Sequence, residues 1–153
     1  MGIHIRPANE NDAQEVLRLY GEFTRYLRDL DEEVQGRLTV DSFMRDGFRP
    51  GAAFATLVAD APSEALVGYL IHTIGYDAEQ AERTLQVVDL YVASSRRKRG
   101  IGSQLMSAAG EVASALGAAR AYWTVARSNA QAQGFFRRFG ADAVDVTYMV
   151  WES

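Results

Sequence analysis

The chain contains no cysteine, only two histidines and only three prolines. Without thiols there is no disulfide framework, no thiolate metal site and no cysteine nucleophile. His4 and His72 are too few for a histidine-based metal centre, so no metal is expected. Long apolar runs are missing as well. Nothing reaches the length of a membrane span, and the opening MGIHIRPANEND lacks a signal-peptide core. A soluble cytoplasmic protein with no membrane partner is the expectation. Cationic excess is also absent. Lys and Arg number 16 against 20 Asp and Glu, a formal charge of −4 that disfavours a general nucleic-acid binder.

What remains is enough for one domain. A chain of 153 residues buries a core without staples, and no repeat or linker divides it, so residues 1–153 read as a single unit. IHIRP (residues 3–7) alternates and ends at a proline, as a short strand does. Asn11 or Asp12 is placed to cap a helix, with Glu15 in its first turn. The apolar face of that helix is Val16, Tyr20, Phe23, Leu27 and Leu30. TVDSFMRDGF predicts a second helix, broken near Gly47 and stopped by Pro50-Gly51. Residues 52–59, 65–76 and 84–93 read as three strands whose short connections favour antiparallel pairing. An amphipathic helix runs from Gly102 to Gly117. It is followed by a strand over residues 120–126, which is free to lie parallel to the 84–93 strand because a helix crosses between them. Residues 129–139 predict another helix, closed by Gly140, and AVDVTYMVW a last strand. The whole is one mixed, mostly antiparallel α/β sheet with about four helices.

RRKRGIGSQL joins a strand to a helix, and it is the densest cationic stretch in an acidic chain. A helix start offers unpaired N–H groups and a positive dipole end, both suited to an anion. Glycines at 100 and 102 remove side chains that would hold a phosphate off, and the flanking Arg and Lys add charge-assisted donors. A pyrophosphate-bearing ligand fits this arrangement best. Two nucleotide motifs fail here. A dinucleotide fingerprint needs a small residue where Leu105 stands and an acid after the next strand, which reads AYWTVA. A P-loop needs Gly-Lys-Ser/Thr, and Gly102 is followed by Ser-Gln. What is left is an R-x-x-G-x-G loop formed by Arg97, Gly100 and Gly102. The competing readings are a plain glycine turn with a solvated basic face, or a nucleic-acid patch without the interleaved aromatics it needs.

With VVDLYV before it and NAQAQGFFRRFGA after it, the loop resembles that of the Gcn5-related N-acetyltransferases. The likeness runs the length of the chain. IRPA, LTVDSFMRDGF and VVDLYVASSRRKRGIGS all look like the spermidine/spermine and thialysine acetyltransferase branch. The resemblance implies that fold, with two central strands splayed apart, and acetyl coenzyme A as the cosubstrate. It implies backbone contacts to the cosubstrate from Leu90, Tyr91 and Val92, and a pyrophosphate site at Arg97, Lys98, Arg99, Gly100, Ile101, Gly102 and Ser103. Asn129 and Phe136 would complete the cosubstrate site, and a homodimer is implied as well.

The family reaction is attack of an amine on the thioester, which requires a proton to leave the ammonium first. Asp89 is the one acid in the central strand. It is either an anchor for a loop or arginine, or the group that orients the amine and relays its proton. Gln86 stands where several relatives carry a glutamate base. Phe136 stands at the family's tyrosine, so the usual proton donor to the departing thiolate is missing, with Tyr122 and Tyr148 as candidate replacements. The substrate wall implied is Tyr26, Leu27, Val88, Asp89, Tyr122 and Thr124. Leu27 and Val88 replace two acids expected for a long polyamine. Asp29, Asp31, Glu32 and Glu33 either attract a cationic amine or form a solvated helix end. His72, Trp123, Trp151, Tyr76 and Tyr148 read as residues of the sheet, with core packing the commoner role for the aromatics. The expected activity is acetylation of a small primary amine: a diamine, an amino acid or a lysine analogue. The alternatives are a protein or peptide N-acetyltransferase and a non-catalytic coenzyme A-binding sensor.

Overall fold

A computed structural model of the chain describes residues 2–153. Five strands form one sheet in the order of the chain: β1 (His4–Pro7), β2 (Ala55–Asp60), β3 (Gly68–Asp77), β4 (Glu82–Val92) and β5 (Ala118–Tyr122). The first four are antiparallel neighbours, and β5 lies parallel to β4. The parallel pair is possible because α3 (Ile101–Ala115) crosses between its strands. Two helices, α1 (Ala13–Asp29) and α2 (Val40–Phe48), precede β2, and α4 (Ala130–Phe139) follows β5.

The sheet is covered on both faces. Leu57, Leu70, Leu85 and Val87 meet Ile101, Leu105, Met106 and Ala109 of α3 on one side. Val58, Tyr69, Ile71 and Tyr91 meet Val16 and Leu19 of α1 and Phe43 of α2 on the other. Arg6 fixes the start of the chain to this frame. Its guanidinium donates to Asp12 at 2.8 and 3.0 Å and to Asp60 at 3.1 Å, joining β1, the entry to α1 and the end of β2. Asp12, engaged by Arg6, does not cap α1 with its side chain. Asn9 caps the short 3-10 turn that leads into the helix instead. Thr39 and Ser42 form a reciprocal capping box at α2.

Three sequence expectations are corrected. α2 runs through Gly47 to Phe48 without a break. The missing side chain there makes room for the Phe54 ring, which an added Cβ would meet at 2.8 Å. The last predicted strand, residues 143–151, belongs to no sheet. Its alternation suits a strand, but a strand needs a hydrogen-bonded neighbour, and this segment has none among the described residues. The strand predicted over residues 120–126 is also shorter. Its pairing with β4 ends at Tyr122, opposite Gln86.

Candidate active site

That early ending makes the site. β4 continues to Val92, while the chain after Tyr122 leaves the sheet, so the two diverge and a cleft of about 700 Å³ opens between them. Val87 to Val92 form one wall, and Trp123, Thr124, Val125 and Ala126 the other. The floor is the start of α3. Gly100 holds a left-handed φ of +79°, which turns the chain sharply into the helix. No side chain caps this end, and the first intrahelical bond is the Gln104 amide donating to the Gly100 carbonyl. The amides of Ile101, Gly102 and Ser103 are therefore left for an outside acceptor, and all three residues line the cleft. An added Cβ on Gly102 would meet the Phe135 ring at 3.0 Å, so this glycine sets how closely α3 approaches α4.

A bulge decides where Asp89 points. Ile71 pairs with Asp89 and His72 with Val87, which leaves Val88 as the extra residue. Leu85 and Val87 face α3 before the bulge, and Leu90 and Val92 face it afterwards. Asp89 and Tyr91 are thereby turned to the other side, toward α1. There the Tyr69 hydroxyl, fully buried, donates to Asp89 at 3.3 Å. Burial pushes the Asp89 carboxyl up to about 6, and the Tyr69 hydrogen bond opposes that shift. Burial and the neighbouring Asp89 charge together hold the Tyr69 phenol well above its ordinary range.

Across the cleft, the Tyr26 hydroxyl donates to Asn129 Oδ1 at 2.7 Å. Asn129 Oδ1 also caps α4, accepting from the Ala132 amide at 3.2 Å. Ser128 donates to Glu32 at 2.6 Å. These contacts tie the end of α1 and the loop after it to the start of α4, roofing one side. Arg97 lies inside. Its Nε donates to the Val92 carbonyl at 3.1 Å, and its guanidinium sits 4.9 Å from the Tyr26 ring centre and 5.2 Å from that of Tyr91. Phe136 packs on Trp123 at 4.9 Å and on Phe135 at 5.1 Å, forming the apolar end.

The model of the Acetyltransferase (GNAT) family matches residues 14–141. A thialysine N-epsilon-acetyltransferase from Bos taurus is 30% identical over 146 residues, covering 91% of this chain and 84% of that protein. The chain belongs to the GNAT acetyltransferase family. Among solved structures, an integron cassette protein from the mobile metagenome of V. cholerae superposes with a TM-score of 0.81. It is 22% identical and covers 100% of this chain and 94% of its own. An aminoglycoside acetyltransferase from an uncultured soil metagenomic sample, solved with sisomicin, has a TM-score of 0.76. It is 16% identical and covers 99% of this chain and 95% of its own. These last two bear on the fold alone.

As a GNAT acetyltransferase, the chain brings most of its sequence-nominated residues to one place. Tyr26, Leu27, Val88, Asp89, Leu90, Tyr91, Val92, Thr124, Asn129 and Phe136 all line the cleft, as do Arg97, Lys98, Gly100, Ile101, Gly102 and Ser103. Arg99 does not. Tyr122 is also outside it, half exposed, with its hydroxyl 3.5 Å from the Asp77 carboxylate. Tyr148 is exposed in the C-terminal segment, so neither alternative hydroxyl reaches the cleft. Gln86 is exposed and lies outside the lining. His72 is buried in β3, where burial lowers its pKa and its Nδ1 has no partner. Among the described residues, no cluster of His, Asp and Glu side chains is arranged to hold a metal, and no helix is long and apolar enough to cross a membrane.

Of the acidic stretch weighed in the sequence, Glu32 and Glu33 stand at the cleft, whereas Asp29 and Asp31 do not line it. Two contributors escaped the sequence reading. Trp123 is cleft wall rather than ordinary core. Tyr69 holds Asp89 from a neighbouring strand. No local signal marks it, because the contact exists only after β3 and β4 pair across the bulge.

Proposed function

We propose that this acetyltransferase takes its acetyl group from acetyl coenzyme A and transfers it to the primary amine of a small molecule. The observation that carries the reading is a single cleft in which three unpaired amides, flanking cations and an unpaired strand edge are continuous. The Ile101, Gly102 and Ser103 amides suit a diphosphate, with Arg97 and Lys98 neutralising its charge. Beyond Gln86 the outer edge of β4 has lost β5, so its backbone groups are available to an extended amide-bearing arm. The acetyl end would then lie near Leu90 to Val92, where a backbone N–H stabilises the charge growing on the thioester oxygen.

Glu32, Glu33 and Asp89 give the amine side of the cleft an anionic lining suited to a diamine, an amino acid or a lysine analogue. Asp89, ionised at neutral pH yet buried, orients the ammonium and accepts its proton directly or through water. The free amine nitrogen bonds to the carbonyl carbon, the carbon–sulfur bond breaks, and the proton that the new amide nitrogen sheds passes through water to the released thiolate. Phe136 and Trp123 shield that end without donating a proton. The Tyr26–Asn129 and Glu32–Ser128 bridges close one side, which favours a small molecule over a polypeptide. The homodimer implied by the resemblance belongs to the same reading.

A second reading, a coenzyme A sensor without turnover, draws on the lack of a hydroxyl at Phe136 and of a carboxylate at Gln86. Calorimetry with coenzyme A and thiol release from acetyl coenzyme A across an amine panel separate the two. Binding with release accelerated by a diamine or lysine analogue is expected. Binding without release on any amine favours the sensor, and no binding overturns both.

A further inference from the structure

A departing sulfur carries negative charge into the apolar end of the cleft, where Phe136 packs on Trp123 at 4.9 Å and neither ring has an acidic proton. Among the described residues, the hydroxyl side chains lining the cleft are those of Tyr26, Tyr91, Ser103 and Thr124. Ser103 and Thr124 are alcohols, weaker acids than any thiol, so a thiolate takes no proton from them. The tyrosines differ in what holds their proton. Tyr91 donates at 3.4 Å to the Glu22 carboxylate on α1, and burial raises its phenol. Tyr69 donates to Asp89, and the Tyr122 hydroxyl lies 3.5 Å from the Asp77 carboxylate. A carboxylate partner keeps a phenol protonated. Of these four tyrosines, Tyr26 alone directs its proton to neutral amide oxygens, Asn129 Oδ1 at 2.7 Å and, further off, Gln131 Oε1 at 3.4 Å.

Resting on the acetyl-transfer reading, we propose that the Tyr26 hydroxyl is the proton donor to the departing thiolate. Its position fits. The Arg97 guanidinium sits 4.9 Å from the Tyr26 ring centre while its Nε donates to the Val92 carbonyl at 3.1 Å. One side chain therefore spans from Tyr26 to the stretch of β4 where the acetyl end would lie. On its other side Tyr26 meets Asn129 at the start of α4, so the hydroxyl stands between the two elements that border the cosubstrate arm. Asn129 Oδ1 also takes the Ala132 amide at 3.2 Å, so α4 stays capped when the Tyr26 proton turns away. A charged sulfur is a stronger acceptor than an amide oxygen, and the O–H swings to it as the carbon–sulfur bond breaks. The electron pair leaves on sulfur, and sulfur takes the Tyr26 proton. The phenolate oxygen then takes up, through water, the proton that the new amide nitrogen sheds. The hydroxyl is restored with each turnover. During the transfer, the Arg97 cation over the ring offsets the charge left on the oxygen.

Single-turnover transfer from acetyl coenzyme A to a diamine or lysine analogue, in the full chain, tests this. Tyr26→Phe should slow transfer about tenfold or more while coenzyme A binds as it does to the parent. That loss alone does not separate proton donation from the bridge to Asn129. A fluorinated tyrosine at residue 26 does, because it keeps the hydroxyl and the bridge but makes the phenol more acidic. A donor must hold its proton, so the alkaline fall in rate should move to lower pH in the fluorinated chain. A hydroxyl that only braces Asn129 would leave that limb where the parent has it. Transfer at the parent's rate in Tyr26→Phe overturns the proposal, as does an unmoved alkaline limb, or a loss of coenzyme A affinity that accounts for the whole drop. Each of these outcomes leaves the acetyl-transfer reading intact. A parent chain that binds coenzyme A and transfers to no amine sinks that reading itself, and the donor with it.

Discussion

Asp89 concentrates the residue-scale consequences. Its folded pKa of about 6 lies above the ordinary carboxylate range because burial disfavours the charge. With the carboxylate as the active form, kcat/KM should rise with pH through about 6 and then level, and Asp89→Asn should abolish that limb. Tyr69→Phe removes the hydrogen bond that opposes the shift, so the inflection should move upward. The stability consequence has the opposite sense. A raised folded pKa contributes stability that is present below the unfolded pKa of about 4 and lost as pH rises through about 6. Asp89→Asn should therefore be more stable than the parent at pH 7–8, by up to about 3 kcal/mol, with the gain gone at pH 4. Urea denaturation at the two pH values checks it, and an unchanged difference across that range would contradict the assignment. Asp89 was visible in the sequence as a lone strand acid. Its direction was not, since one extra residue at Val88 reverses the alternation that a reader extrapolates.

At the scale of an element, the start of α3 behaves as one unit. Gly100 supplies the left-handed turn and Gly102 the close contact with Phe135. Gly100→Ala should cost about 1 kcal/mol of stability through backbone strain. Gly102→Ala leaves the backbone unstrained but pushes the Phe135 ring, tilting the amides of Ile101 to Ser103. Both should weaken coenzyme A binding about tenfold or more by calorimetry, whereas Ser107→Ala on the same helix should leave it intact. The loop, the helix and the need for glycine were legible from RRKRGIGSQL. The reason for the second glycine was not, because its neighbour lies on α4.

For the whole molecule, the Arg6 cluster holds the first strand, the first helix and β2 together. The Arg6 guanidinium holds the Asp12 carboxyl below the usual range. A depressed pKa contributes stability that is present above the unfolded value of about 4 and lost as pH falls through the folded one. Asp12→Asn should cost about 2 kcal/mol at pH 7 and make unfolding between pH 5 and 3 less pH-dependent than in the parent. Equal acid limbs in circular dichroism would show that the cluster is not what acid releases.

Local spacing by itself located the helices, the strands of the sheet and the glycine turn at the start of α3. Each of these depends on residues within a turn or two of one another. Tertiary structure alone decided the rest. The bulge aimed Asp89 at Tyr69, the parting of β4 from β5 turned Trp123 into cleft wall and left Tyr122 outside, and the last apolar run stayed unpaired. A side chain's partners across a sheet, and whether a strand has any neighbour at all, depend on where distant segments come to rest. Periodicity along the chain carries no information about that.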